Sequence, residues 1–91
     1  MPEIRTLPSV EQTIRQFIVD NFLFGEVEKV PSNEESLLGQ GIIDSTGVLE
    51  MVAFLENQYG IQVQEHELVA ANLDSLNNLV AFVSRKRGAS S

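Results

Sequence analysis

Ninety-one residues carrying thirteen acidic and six basic side chains, a net charge of −7, and no cysteine make one small domain with a modest core, too small to enclose a deep active site. Disulfides and thiolate metal sites are excluded, and the charge opposes binding to nucleic acid or an anionic membrane surface. No apolar run approaches the length of a membrane span, and Met1-Pro2-Glu3-Ile4 lacks the basic-then-apolar order of a signal peptide, so a free-standing cytoplasmic monomer is expected. The charge is also uneven. Arg85, Lys86 and Arg87 crowd the end of the chain, whereas residues 30 to 84 hold eight acids and neither lysine nor arginine, a field that attracts basic partner surfaces.

Leu7-Pro8-Ser9 is a lead-in to the first helix, predicted over Val10 to Phe22. Ser9 and Gln12 have capping-box spacing, and Val10, Ile14, Phe17 and Ile18 repeat at helical intervals. From Phe24 to Asp44 the turn formers Gly25, Pro31, Ser32, Asn33, Gly39 and Gly41 interrupt any long helix. The apolar Val27, Val30, Leu37, Leu38, Ile42 and Ile43 nevertheless predict a loop packed over the domain, with room for one short helical turn, and loops this long in compact domains are usually functional. A second helix follows from Ser45 to Tyr59, stopped by Gly60, with Val48, Met51, Val52, Leu55 and Tyr59 as its buried stripe.

Ile61-Gln62-Val63 reads as an extended link, and Gln64 to Ala70 as a short third helix with Leu68 and Val69 inward. Asn72-Leu73-Asp74-Ser75 offers caps for a last helix, in which Leu76, Leu79, Val80 and Val83 recur at helical spacing. The expectation is an all-α, irregular four-helix bundle of three main helices and one short one, with a long loop between the first two. It forms a single domain over residues 1–91, ordered from about 9 to 85, with a basic and small-residue tail at 86–91 that frays from Gly88 onward.

The segment Gly41-Ile42-Ile43-Asp44-Ser45 sets one serine hydroxyl where a loop turns into a helix. Gly41 permits a tight bend and Asp44 is a favoured capping type. The unpaired N–H groups of a helix N-terminus, together with its dipole, stabilise an anion there. Leu37 to Ser45 closely resembles the prosthetic-group site of acyl and peptidyl carrier proteins. Asn72-Leu73, Ser75-Leu76 and Leu79 to Val83 resemble that family's entry into its last helix. The resemblance covers about Val10 to Val83 and implies an acyl-carrier-protein-like bundle. It also implies a non-catalytic carrier: 4′-phosphopantetheine attached to Ser45, beside the motif residue Asp44, with cargo held as a thioester. The implied partners are a phosphopantetheinyl transferase, an acyl- or aminoacyl-loading ligase or acyltransferase, and a downstream acyl-using enzyme. In that family the second helix is the main recognition surface, which here presents Thr46, Leu49, Glu50, Ala53 and Glu56.

The chain departs from the commonest fatty-acid carriers. Thr46 and Gly47 stand where those have leucine and an acid, and Asn57 and Gln58 where they often have further acids. A dedicated carrier loaded by an adenylate-forming ligase is therefore expected rather than the housekeeping one. Phe54, where many carriers have a small residue, is expected to narrow any cavity between helices and to favour short or polar cargo. Gly47 is expected to answer either a close backbone approach or a steric need, since glycine in a helix costs about 0.5–1 kcal/mol relative to alanine. Three other readings compete. Ser45 as a mere cap, alone or with Asp44, would make this a small helical interaction module with no prosthetic group. A triad of Ser45, Asp44 and His66 lacks a Gly-x-Ser-x-Gly turn. His66, between Glu65 and Glu67, has no second metal ligand at proper spacing and reads as solvated.

Overall fold

The computed structural model describes residues 9 to 89, and among these it contains four α-helices: α1 (Val10–Phe22), α2 (Ser45–Tyr59), α3 (Ala70–Leu73) and α4 (Leu76–Ala89). Short 3₁₀ turns at Val27–Lys29 and Glu65–Glu67 complete the order. The two long elements read from periodicity, α1 and α2, have the bounds that the sequence predicts.

Reciprocal capping starts α1. The Gln12 N–H donates to Ser9 Oγ at 3.1 Å, and the Ser9 N–H to Gln12 Oε1 at 3.0 Å. Ile14, Ile18 and Val19 then turn inward. The chain leaves α1 through Phe24 and Gly25, both at positive φ (53° and 87°), and the Gly25 N–H returns to the Val19 carbonyl at 2.9 Å. Met51, Val52 and Leu55 of α2 are buried while Val48 and Tyr59 pack at the edge of the core. Helix α4 supplies Leu76, Leu79 and Val83, and also Phe82 at 1 % exposure. The helical repeat read from sequence passes over Phe82, which sits one position from Val83.

The long first connection packs as expected through Leu37 and Ile43, which are buried, and Val30 and Ile42, which lean on the core. Val27 and Leu38, by contrast, are exposed. The expected third helix over Gln64 to Ala70 is not formed. The Glu67 carboxylate accepts the Gln64 N–H at 2.8 Å and closes a single 3₁₀ turn, after which Val69 is extended (φ −129°, ψ 155°) and breaks the run before α3. Leu68 and Val69, expected inward, are therefore exposed, and Leu73 takes the core position.

Asn72 and Leu73, expected among the caps of the last helix, lie in α3 instead. Ser75 alone caps α4: its Oγ accepts the Asn78 N–H at 3.1 Å and its carbonyl the Leu79 N–H at 2.9 Å. Helix α4 also runs further than expected, through the basic cluster to Ala89, because each base has something to hold. Lys86 Nζ donates to Glu67 Oε1 at 2.9 Å, Arg85 donates to Asn72 Oδ1 at 2.9 Å, and the Arg87 guanidinium lies over the Tyr59 ring, 5.1 Å from its centroid. Ser90 and Ser91, the end of the expected tail, lie outside the described residues, as do Leu7 and Pro8 of the lead-in. No helix of the described residues is long and apolar enough to cross a membrane.

Candidate functional site

The site begins in the loop before α2. Leu37, buried at 1 % exposure, donates its N–H to the Asp74 carbonyl at 2.7 Å, and its own carbonyl accepts the N–H groups of Ile42 at 3.0 Å and Ile43 at 3.4 Å. The chain thus doubles back over five residues. Gly41 supplies the left-handed step (φ 73°) that this requires, its N–H reaching the Leu38 carbonyl at 3.1 Å. Ile43 then plunges into the core and delivers Asp44 to the start of α2.

Asp44 is extended (φ −115°, ψ −173°) and is the N-cap. Its Oδ1 accepts the Gly47 N–H at 2.7 Å and its carbonyl the Val48 N–H at 2.9 Å. Ser45 is the first helical residue and is exposed. Its hydroxyl forms no hydrogen bond with any described residue, and the N–H groups of Ser45 and Thr46 likewise have no partner among them. The capping duty that competes with an attachment role therefore belongs to Asp44, and the serine oxygen beside two free helix-end donors is unused. Helix N-termini of this kind favour a negatively charged group.

Gly47 is buried against this turn. A methyl group added there would stand 2.7 Å from Ile43 Cγ1 and 3.0 Å from Phe22 Cε1, which is the steric need that the sequence raised. Beside Ser45 lies an open groove of about 200 Å³ lined by Leu38, Val48, Leu68, Val69, Ala70, Leu73 and Asp74. Leu38, Leu68 and Val69 are exposed at 43 %, 37 % and 47 %, so side chains from two separate segments, with Val48 of α2, give the serine an apolar surround.

Thr46, Leu49, Glu50 and Ala53 are exposed along α2, Leu49 at 60 %. Glu56 differs: it is half-buried, and its Oε2 accepts the Val63 N–H at 2.9 Å, tying α2 to the extended segment after Gly60. Phe54 stacks on Phe17 of α1, ring centroids 4.1 Å apart and planes at 20°. It stands nine residues beyond Ser45, about two and a half helical turns, hence on the opposite flank of α2. There it floors a separate open groove of about 680 Å³ with Phe17, Val27, Val30 and Gln58. Phe54 thus fills space between α1 and α2 on the side away from the serine. His66 is exposed on the 3₁₀ turn and hydrogen-bonds neither Asp44 nor Ser45. Next to it, the Gln64 N–H and the Lys86 ammonium hold the Glu67 carboxyl below its ordinary value.

Sequence reasoning missed Asp74 and Ser36. The Asp74 carboxylate accepts the Leu38 N–H at 2.8 Å and the Ser36 hydroxyl, while Ser36 Oγ accepts the Gly39 N–H at 2.8 Å. Nothing local marks this pair, because its members stand thirty-eight positions apart.

No family model matches the chain. Among curated proteins it is similar to the D-alanyl carrier protein of Streptococcus gordonii, 29 % identical over 72 residues, which is 79 % of this chain and 89 % of that protein. The likeness supports the resemblance to carrier proteins that the residues around Ser45 and Asp74 carry.

Proposed function

We propose that this protein is a non-catalytic carrier that bears 4′-phosphopantetheine on Ser45 and delivers an acyl or aminoacyl cargo between enzymes. The observation that carries the reading is the division of labour at the start of α2. Asp44 performs the cap, and the Ser45 hydroxyl stands exposed, unbonded to any described residue, beside N–H groups that likewise have no partner among the described residues. A phosphodiester fits this site. The N–H groups of Ser45 and Thr46 and the positive end of α2 balance its charge, and the apolar side chains of Leu38, Val48, Leu68 and Val69 offer the rest of the group a surface. When bound, the group supplies a thiol that holds cargo as a thioester.

The chain's own residues present and dock. Leu49, between Ser45 and the acidic Glu50, gives a partner an apolar grip, while Thr46 and Ala53 keep the surrounding surface small enough for close approach. Glu50 favours a basic partner, with fast, weak and salt-sensitive association. Glu56 contributes through the carboxylate oxygen that Val63 leaves free. The partners are a phosphopantetheinyl transferase, a loading enzyme and a downstream enzyme. The similarity to a protein named for D-alanine supports an aminoacyl cargo and a dedicated carrier. The proposed loading enzyme is an adenylate-forming ligase, and the proposed place of action is the cytoplasm.

The test is the intact mass after incubation with coenzyme A, Mg²⁺ and a broad-specificity phosphopantetheinyl transferase, with Ser45→Ala and an established carrier in parallel. A gain of one phosphopantetheine on the wild type alone is expected. Modification of Ser45→Ala to the same extent, or none on the wild type while the established carrier is modified, refutes the reading.

A further inference from the structure

We infer that Asp74, at the end of α3, is a positioning residue for Ser45: it holds the preceding loop in the one shape that lets α2 begin with its serine outward. The inference rests on the reading of Ser45 as an attachment site, although its structural half can be tested without it.

Three consecutive loop residues are anchored on this single side chain and its own peptide group. Ser36 donates its hydroxyl and Leu38 its N–H to the Asp74 carboxylate, and Leu37 between them donates its N–H to the Asp74 carbonyl. Bonds to an ionised acceptor are among the stronger ones a protein makes. The anchored Leu37 carbonyl in turn receives the N–H groups of Ile42 and Ile43. Ile43 lies against Gly47 in the first turn of α2, next to the Asp44 cap. An unbroken run of contacts therefore leads from Asp74 to the helix end that bears Ser45, and Asp74 also lines the groove beside the serine. Ser75 caps α4 by itself, which leaves the Asp74 carboxylate free for the loop. Without that carboxylate, Ser36 and Leu38 lose their anchor and Leu37 alone still ties the loop to Asp74, through its carbonyl, so that only a fraction of molecules present Ser45 in the shape a modifying enzyme binds.

The experiment measures steady-state transfer from coenzyme A to Ser45 by the broad-specificity transferase, for the wild type, Asp74→Ala, Asp74→Asn and Ser36→Ala, beside amide hydrogen exchange of each unmodified protein. If the competent fraction falls to about one tenth, KM for the carrier rises about tenfold while kcat stays within about twofold. Asp74→Asn, which keeps an acceptor for the Leu38 N–H, recovers most of this, and Ser36→Ala shows a smaller rise. In Asp74→Ala the amides of Leu37, Leu38, Ile42 and Ile43 lose protection while that of Val83 in α4 keeps it. An unchanged KM in a folded Asp74→Ala overturns the inference, as does an equal loss of protection at Val83. Should Asp74→Ala fail to fold, wild-type KM values in both Asp74→Asn and Ser36→Ala overturn it. A wild type that accepts no group at all refutes the carrier reading, and the exchange pattern then decides the positioning by itself.

Discussion

Replacing Gly47 by alanine opposes two effects of known size. Alanine is favoured over glycine in a helix interior by about 0.8–1.0 kcal/mol, and by less in a first turn, so an open site would gain stability. Here the new methyl would stand 2.7 Å from Ile43 Cγ1, 3.0 Å from Phe22 Cε1 and 3.3 Å from Asp44 Oδ1, whereas carbon atoms rest at about 3.5–4.0 Å. Neither carbon yields cheaply. Ile43 is 5 % exposed and Cγ1 is a branch atom rather than a free tip, and the Phe22 ring is held edge-on by Phe17 at 5.7 Å. Overpacking of this kind costs about 1–3 kcal/mol, so the net expectation is a loss of about 1 kcal/mol. In a domain of this size that lowers Tm by about 4–8 °C. Urea denaturation and thermal melts of the unmodified protein measure it. Repeating the substitution in an Ile43→Ala background removes the closest atom, and there it should be neutral or stabilising. A Gly47→Ala protein with a higher urea midpoint and an unchanged slope refutes the reasoning.

The cap belongs to Asp44, so Asp44→Ala should cost about 0.5–2 kcal/mol of stability and Ser45→Ala stay within about 0.5 kcal/mol of the wild type; urea midpoints that reverse this order would return the cap to the serine. Transfer from coenzyme A by the transferase, under the proposed function, should weaken as salt rises from about 0.1 to about 1 M, which shrinks the Debye length from about 10 to about 3 Å. Circular dichroism should stay unchanged, and a salt-independent KM would remove the acidic face of α2 from docking. Glu67, held below its ordinary value of 4.5 by the Gln64 N–H and by Lys86, stabilises the fold fully above that pH. Its contribution disappears as pH falls through the lowered native value. The stability advantage of the wild type over Glu67→Gln should therefore be constant near neutrality and shrink in acid, and an advantage that grows in acid contradicts the assignment.

What the sequence made legible was what local chemistry decides. Ser9 with Gln12, and Asp44 with Gly60, mark the ends of α1 and α2, and the apolar repeats between them name most of the core. What it hid depends on distant partners. The stretch from Gln64 to Ala70 carries helix-compatible residues, yet the Glu67 side chain closes a tighter turn and is itself held by Lys86 from the far end of α4. The basic cluster read as a tail because its partners Glu67, Asn72 and Tyr59 are adjacent only after folding. Glu56 read as a free surface acid for the same reason, since Val63 reaches it only once the chain has turned at Gly60.

The dipeptide Asp-Ser occurs at 44–45 and again at 74–75, each time at the threshold of a helix, and the two copies do opposite things. At α2 the aspartate caps and the serine falls inside the first turn with its hydroxyl unbonded to any described residue. At α4 the serine caps, buried at 5 % exposure, and the aspartate faces the loop. Both residue types cap well, so composition cannot choose between the registers. The surroundings do. Ile43 is buried immediately before Asp44 and sets that residue as the last extended one, whereas α3 ends at Leu73, Asp74 caps its end, and the cap of α4 falls one position later on Ser75. One consequence is that, among the described residues, the serine left exposed and unbonded is the one whose loss should cost the fold least. The other is that the carboxylate left over at the second threshold is free to shape the first.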